Sequence, residues 1–292
     1  MRALPRRRAV ARALLACLVA AGVITGRPAA ARPLDEVTAS GVLRVAIYDD
    51  NRPFSEAGTA GPRGIDADLA RAIAERLKLK LDLRVVDAGE NVDGDFRLNL
   101  WRGDLAGTPL ADLMLHVPHD RILATRNEQI FLTNPYFEQR LAFAYHRGRI
   151  EGFEGVRDLE GHAVAVEGTS ASDSLLMNAE GGRFRGTIRH FRSFDEAAKA
   201  YLAGETPILA GTRAGIEAAL KAAGAAGEDN PVVEMPIPGL VRTRWEIGGA
   251  VRSDSRDLAY AVGDALSALA QEGRLKAICA AYGVTYTPPQ GY

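Results

Sequence analysis

VLRVAI at 42–47, followed after a polar loop by GIDADLARAIAERLKLKL at 64–81, decides the reading of the fold. The first run is short, apolar and rich in β-branched residues, whereas in the second Ile65, Leu69, Ile73 and Leu77 recur every four positions. A strand therefore feeds an amphipathic helix, and LDLRVV at 81–86 supplies the next strand. A helix over about 95–103 and the apolar ADLMLHV (111–117) continue the alternation. It restarts after 140 with LAFAY (141–145), AVAV (163–166), a helix from about 170, TIRHF (187–191), a helix over 194–203, PILAG (207–211) and a helix over 212–223. VVEM (232–235), EIGGAV (246–251) and one long helix from about 256 to 272 close the chain. Strands alternating with helices predict an α/β fold with parallel sheets and crossovers on their faces. Two such blocks predict a cleft between them, because open sheets bind ligands at the carboxyl ends of their strands.

The N-terminus predicts export. Arg2, Arg6, Arg7 and Arg8 precede an apolar stretch from Ala13 to Ile24, and Ala29, Ala30 and Ala31 supply the small residues of a cleavage site. The stretch is shorter than the roughly 20 residues of a spanning helix, and no later segment approaches that length, so no membrane span is expected after processing. Residues 1–31 are thus read as a signal peptide and the processed chain as periplasmic. Cys17, preceded by Leu14, Leu15 and Ala16, faintly resembles a lipid-attachment site. Cleavage after Ala31 removes six arginines and no acid, which takes the net charge from −1 to −7 and disfavours nucleic acid as a partner. Only Cys279 then remains, in a C-terminal helical pattern, so it reads as a buried apolar thiol and no internal disulfide can form. The remaining chain, about 260 residues, is long enough for one large core or two smaller ones.

Four stretches in order resemble the family 3 extracellular solute-binding proteins, the polar amino acid receptors of ABC importers. LRVAIYDDNRPFSEAG (43–58) with GIDADLARAIAERL (64–77) is similar to their opening strand, Pro-Phe loop and first helix, and NPYFEQRLAFAY (134–145) to the segment entering the first hinge strand. DLEGHAVAVEGTSASDSLL (158–176) resembles the start of their second lobe, and GGAVRSDSRDLAYAVGDALSALAQEGRLKAICAAYGV (248–284) their C-terminal strand and helix. The resemblance implies a two-lobed type II periplasmic binding protein fold, two sheets joined by a two-strand hinge, with lobe 1 at 34–140 plus 246–292 and lobe 2 at 141–245. It also implies a monomer that takes a small-molecule ligand, partners an ABC permease, needs no cofactor and is not an enzyme.

In that family an arginine from lobe 1 and a Gly-Thr turn from lobe 2 hold the carboxylate of the ligand. Gly168-Thr169-Ser170 fits the turn, between a strand and a helix N-terminus, although Thr169 or Ser170 can equally be read as a cap of that helix. Counting back from Asn134-Pro135-Tyr136 puts Arg126 at the arginine position, whereas counting forward from the strand ending at His116 favours Arg121. Tyr48 and Asn51 occupy pocket-lining positions, with Asp49 and Asp50 beside them as sources of negative charge. Trp101 belongs to a helix expected to reach the cleft, and is otherwise a core residue. The family's second-lobe acid, which pairs with an α-ammonium, is absent: Ala210-Gly211-Thr212 stands in its place. An α-amino acid is therefore not the expected ligand, and a carboxylate, an apolar ring or a larger solute stays open.

The stretch NLWRGDLAGTPLADLMLHVPHDR (99–121) looks more like periplasmic accessory proteins of PQQ-dependent methanol dehydrogenases, which share the fold. This keeps open a quinoprotein dehydrogenase as the partner. His116 and His119 stand in an HxxH spacing beside Asp120, but Val117-Pro118 between them is poor helix, so no metal is expected. No Gly-rich phosphate loop, nucleophile elbow or Cys pair is present. The enzymatic alternative is a dehydratase similar to cyclohexadienyl dehydratases, which would need a pocket carboxyl with a raised pKa.

Overall fold

A computed structural model describes residues 32–234 and 242–290. The expected signal peptide and Cys17 lie outside the described residues, as does Met235 of the VVEM run. After α1 (Leu34–Ser40), β1 (Val42–Tyr48) leads to α2 (Ile65–Arg76) and β2 (Lys80–Val86). Next come α3 (Val92–Phe96), β3 (Leu113–Pro118), α4 (Arg121–Arg126), β4 (Ile130–Leu132) and the long β5 (Phe137–Tyr145). The second block holds β6 (Val164–Glu167), α5 (Ala171–Asn178), β7 (Ile188–Phe191), α6 (Phe194–Leu202), β8 (Ile208–Thr212), α7 (Arg213–Ala222) and β9 (Val232–Glu234). The chain returns through β10 (Arg244–Arg252) to α8 (Arg256–Gln271) and α9 (Arg274–Ala281).

Hydrogen bonding runs through the strands in the order β2-β1-β3-β10-β5-β8-β6-β7, with β4 on β10 and β9 on β5. β1 pairs in parallel with β2 and β3, and β6 in parallel with β7 and β8, as expected of crossover units. Every pairing of β5 and β10 is antiparallel. β5 has two halves: Phe137–Arg140 pairs with Ile247–Arg244 of β10, and Leu141–Tyr145 pairs with Thr212–Ile208 of β8. The two expected sheets are thus joined through one shared strand, which makes the ladder continuous.

Strand alternation distributes the core over both faces. Leu43, Val45 and Ile47 of β1 face Leu69 and Ile73 of α2 and Leu258, Val262 and Leu266 of α8, while Ala46 and Tyr48 face Phe96, Leu100 and Leu123. In the other half-sheet, Leu141, Phe143 and Tyr145 pack with Phe153 and Phe184, and Ala142 and Ala144 pack with Tyr201 and Leu220. Each fully buried Leu, Ile or Phe contributes about 1.5–3 kcal/mol through its removal from water.

The helix expected over 95–103 is instead α3, which ends at Phe96, and a π-helical turn at Arg97–Trp101. Asn91 caps α3 by accepting from the Gly94 amide at 2.9 Å, which starts the helix earlier than its apolar spacing suggests. Gly64 opens α2 at φ 119°, and a Cβ there would stand 2.2 Å from the Phe54 carbonyl oxygen. Only glycine permits that approach, which seats the 51–56 loop on the helix N-terminus. Among the described residues no helix is long and apolar enough to cross a membrane.

Candidate functional site

The carboxyl ends of β1, β3, β6, β7 and β8 converge on a cleft of about 560 Å³ between the two half-sheets, within the usual size range of small-molecule sites. One wall is the loop after β1, with Asp50, Asn51, Arg52 and Phe54, together with His116 of β3. The other is Glu167, Ser170 and Ser172, then Arg192, Phe194 and Asp195, then Gly211 and Thr212. Gln139 and Leu141 of β5 and Trp245 of β10 form the floor.

His116 reaches the cleft through a register fault. Leu115 pairs with Gly249 and Val117 with Gly248, so His116 is skipped, and it takes a left-handed φ of 61°. Such a bulge turns one side chain out of the sheet's alternation. The His116 ring meets Phe54 edge-on at 4.5 Å, and its Nδ1 lies 2.9 Å from Oδ2 of Asp66, a fully buried carboxyl in the first turn of α2. The Tyr136 hydroxyl donates to Asp66 Oδ1 at 2.6 Å and accepts from the His116 amide at 3.1 Å. Burial, then the adjacent Asp66 charge, raises the Tyr136 phenol well above its ordinary pKa, so it stays a donor.

Across the cleft, Arg52 Nη1 bonds Asp195 Oδ2 at 2.5 Å, and its Nε bonds Glu56 at 2.7 Å. Glu167 has a backbone hydrogen bond from Phe194, and no ion pair joins it among the described residues. Burial and then the neighbouring Asp195 charge raise its pKa. Two amide side chains complete the polar lining. Gln139 is only 4% exposed and its Oε1 is buried without a hydrogen-bond partner, as is Nδ2 of Asn51.

Of the residues singled out from sequence, Asp50, Asn51, His116 and Ser170 come together in this cleft. Tyr48 does not: its hydroxyl donates to Asp95 at 2.8 Å beneath the sheet, among Phe96 and Leu100. Trp101 packs against that same cluster, because the π-turn carries it away from the cleft. Arg126 forms an ion pair with Asp93 at 2.8 Å, outside the cleft. Arg121 is exposed at the start of α4 and lines a neighbouring crevice, which shares Ala171 and Trp245 with the cleft. Gly168 and Thr169 shape the turn behind Ser170. The Thr169 amide, at φ 64°, donates to Asp173 Oδ2 at 2.8 Å, and the Ser170 hydroxyl caps α5 through the Asp173 amide at 3.1 Å. His190 Nε2 lies 2.9 Å from the other Asp173 oxygen. The turn expected to hold a ligand anion thus already holds a carboxylate of its own chain.

Within the Ala210-Gly211-Thr212 stretch that lacks the acid, a Cβ on Gly211 would meet the Phe194 ring at 2.4 Å. The acids sequence reading missed are Glu167, the last residue of β6, and Asp195 in the first turn of α6. Gln139 was visible as a polar residue within the apolar strand FEQRLAFAY. Among the described residues no group of three or more His, Cys, Asp and Glu side chains is placed to hold a metal ion.

No protein-family profile and no curated protein matches the chain. Solved structures do match it. One is an ancestral cationic amino acid solute-binding protein, with a TM-score of 0.66 at 22% identity over 85% of this chain and 98% of that one. Another is a polar amino acid ABC uptake transporter substrate-binding protein from Streptococcus thermophilus, with a TM-score of 0.66 at 14% identity over 88% and 91%. Substrate-binding domain 2 of GlnP from Lactococcus lactis, in its open conformation, gives 0.61 at 22% identity over 83% and 95%. The strand order, the shared β5 and the cleft at the strand ends together make this the two-lobed α/β fold of the type II periplasmic binding proteins.

Proposed function

We propose that the chain is a periplasmic solute-binding protein that captures a small organic solute between its lobes for an ABC importer, and that it is not an enzyme. The lobes are taken as 34–140 plus 246–292 and 141–245. The observation that carries this reading is the cleft's unsatisfied polar lining, Asn51 Nδ2 and Gln139 Oε1. A buried polar group without a partner costs about 1–3 kcal/mol, and a ligand that bonds to it recovers that free energy on binding. Asp50, Asn51, His116 and Ser170 are contacts in this reading, and lobe rotation about the β5 and β10 crossings encloses the solute. Support comes from the fold neighbours, one named as a cationic amino acid solute-binding protein and another as a substrate-binding protein of a polar amino acid ABC uptake transporter.

A role beside a quinoprotein dehydrogenase rested on the strand ending Val117-Pro118. Those residues have a local structural account, as they pair with Gly248 and Ile247 at the bulge that exposes His116. The test is a thermal-shift panel of amino acids, amines, small carboxylates and sugars, followed by small-angle scattering. A ligand that raises the melting temperature and lowers the radius of gyration supports capture. A panel without a shift or a change in scattering rejects it.

A further inference from the structure

The charges in the cleft do not balance. Arg52 is committed to Asp195 and Glu56, and His116 has Asp66 on its Nδ1. That leaves Glu167 on one wall and Asp50 on the other without ion-pair partners among the described residues. Arg192, one residue beyond Phe191, the register partner of Glu167, also lines the cleft, but it and Asp50 are both exposed, where water and salt screen their charges, whereas Glu167 is partly buried. The floor adds an acceptor independent of these acids: Gln139 lines the cleft, is 4% exposed, and its Oε1 has no donor. Among the described residues lining the cleft, the charged group that is both sheltered and unpaired is therefore an acid, Glu167.

Anion-reading groups point elsewhere. The Thr169 amide serves Asp173, and the Ser170 amide faces the Glu167 carbonyl at 3.4 Å. Arg121 opens onto the neighbouring crevice, and Arg126 is paired with Asp93.

Resting on the reading of this cleft as a solute site, we infer that its solute is an organic cation, an amine or a guanidine. Its charged end sits between the Glu167 carboxylate and Gln139 Oε1, and capture requires no carboxylate on the solute. A carboxylate and an amide oxygen together can accept several N–H donors from one ammonium or guanidinium, and charge-assisted bonds of this kind are the stronger ones.

Calorimetric titration with putrescine, agmatine, arginine and citrulline tests the inference, alongside a panel of uncharged and anionic solutes. At least one of the cations should bind. Agmatine, which is arginine without its carboxylate, should bind within about threefold of arginine, and citrulline, which lacks the guanidinium charge, at least tenfold more weakly. Glu167→Gln should weaken the cation at least tenfold, while its circular dichroism and unliganded melting temperature match the parent or exceed it. Citrulline equal to arginine would overturn the guanidinium as the charge that is read. Agmatine more than tenfold weaker than arginine, or an unchanged Glu167→Gln affinity, would each overturn the cation assignment. Binding of an anionic or uncharged solute alone would overturn it too, yet leave solute capture standing. If nothing in either set binds and scattering stays constant, both readings fall together.

Discussion

The Tyr136 hydroxyl, entering β5, donates at 2.6 Å to Asp66, a carboxyl with no exposed surface in the first turn of α2. Residues 70 positions apart thereby lock the helix that follows the first strand to the entry of the crossing strand. Tyr136→Phe keeps the ring and leaves Asp66 Oδ1 without that donor. A loss of about 1.5–3 kcal/mol in urea unfolding is expected, the range for a hydrogen bond to a charged group. An unchanged midpoint and slope would show the bond to be dispensable.

Arg32 holds Asp112 in a two-pronged ion pair, Nε to Oδ1 at 3.0 Å and Nη2 to Oδ2 at 2.6 Å, and Asp112 is 1% exposed. Arg32→Ala strands a buried carboxylate with the Arg44 amide at 2.8 Å. Removing one partner of a buried pair costs about 3–5 kcal/mol. Differential scanning calorimetry should show the melting temperature falling by several degrees, and a processed chain that begins beyond Arg32 should show the same loss.

Arg52 and Asp195 span the cleft with about half of each side chain exposed, 50% and 46%. Such a pair stabilises the fold by at most about 1 kcal/mol. Arg52→Ala should therefore barely move the melting temperature, yet increase the radius of gyration of the unliganded protein by scattering. The parent protein should show the same increase when salt is raised toward 1 M, where the screening length is about 3 Å.

Cys279 is 2% exposed, and burial pushes its thiol up to about 12. A chain beginning at Arg32 should react negligibly with a thiol reagent at pH 8 in the native state, and with one equivalent in urea. Prompt native labelling would show that α9 opens readily.

Glu167 gives the unliganded protein a pH slope of definite sign. Its pKa in the folded state is raised above the reference value of 4.5, so over that window the native state holds a proton that the unfolded chain releases. Stability should fall as pH climbs from 4.5 through the raised value. Besides burial, Asp195 and the Phe194 amide on α6 act on it, and Arg52, Asp50, His116 and Arg192 line the same cleft. Thermal melts across this window should show a flatter slope for Glu167→Gln.

The elements were legible wherever periodicity was strong. Ile65, Leu69 and Ile73 mark α2, and Leu258, Val262 and Leu266 mark α8, because each helix buries one stripe against the first half-sheet. α4 and β4 were not read, since six and three residues are too few to show a period. At the site, residues just past the ends of strands were found, namely Asp50, Asn51 and Ser170. Tyr48 and Trp101 were misplaced because their direction depends on strand parity and on the π-turn. Glu167 and Gln139 were missed because what distinguishes them, a carboxyl without a cation and an oxygen without a donor, exists only after folding.

The division of β5 between its partners fixes the length of that segment far more tightly than its composition. Gln139 faces the cleft floor from the half paired to β10, and Leu141 begins the half paired to β8. A residue inserted or deleted between them would reverse the facing of every later side chain, turning Phe143 and Tyr145 out of their cluster and Ala142 and Ala144 into it. Insertions are tolerable in the surface loop at 104–110, whereas at Arg140–Leu141 a single codon gained or lost would unmake one lobe.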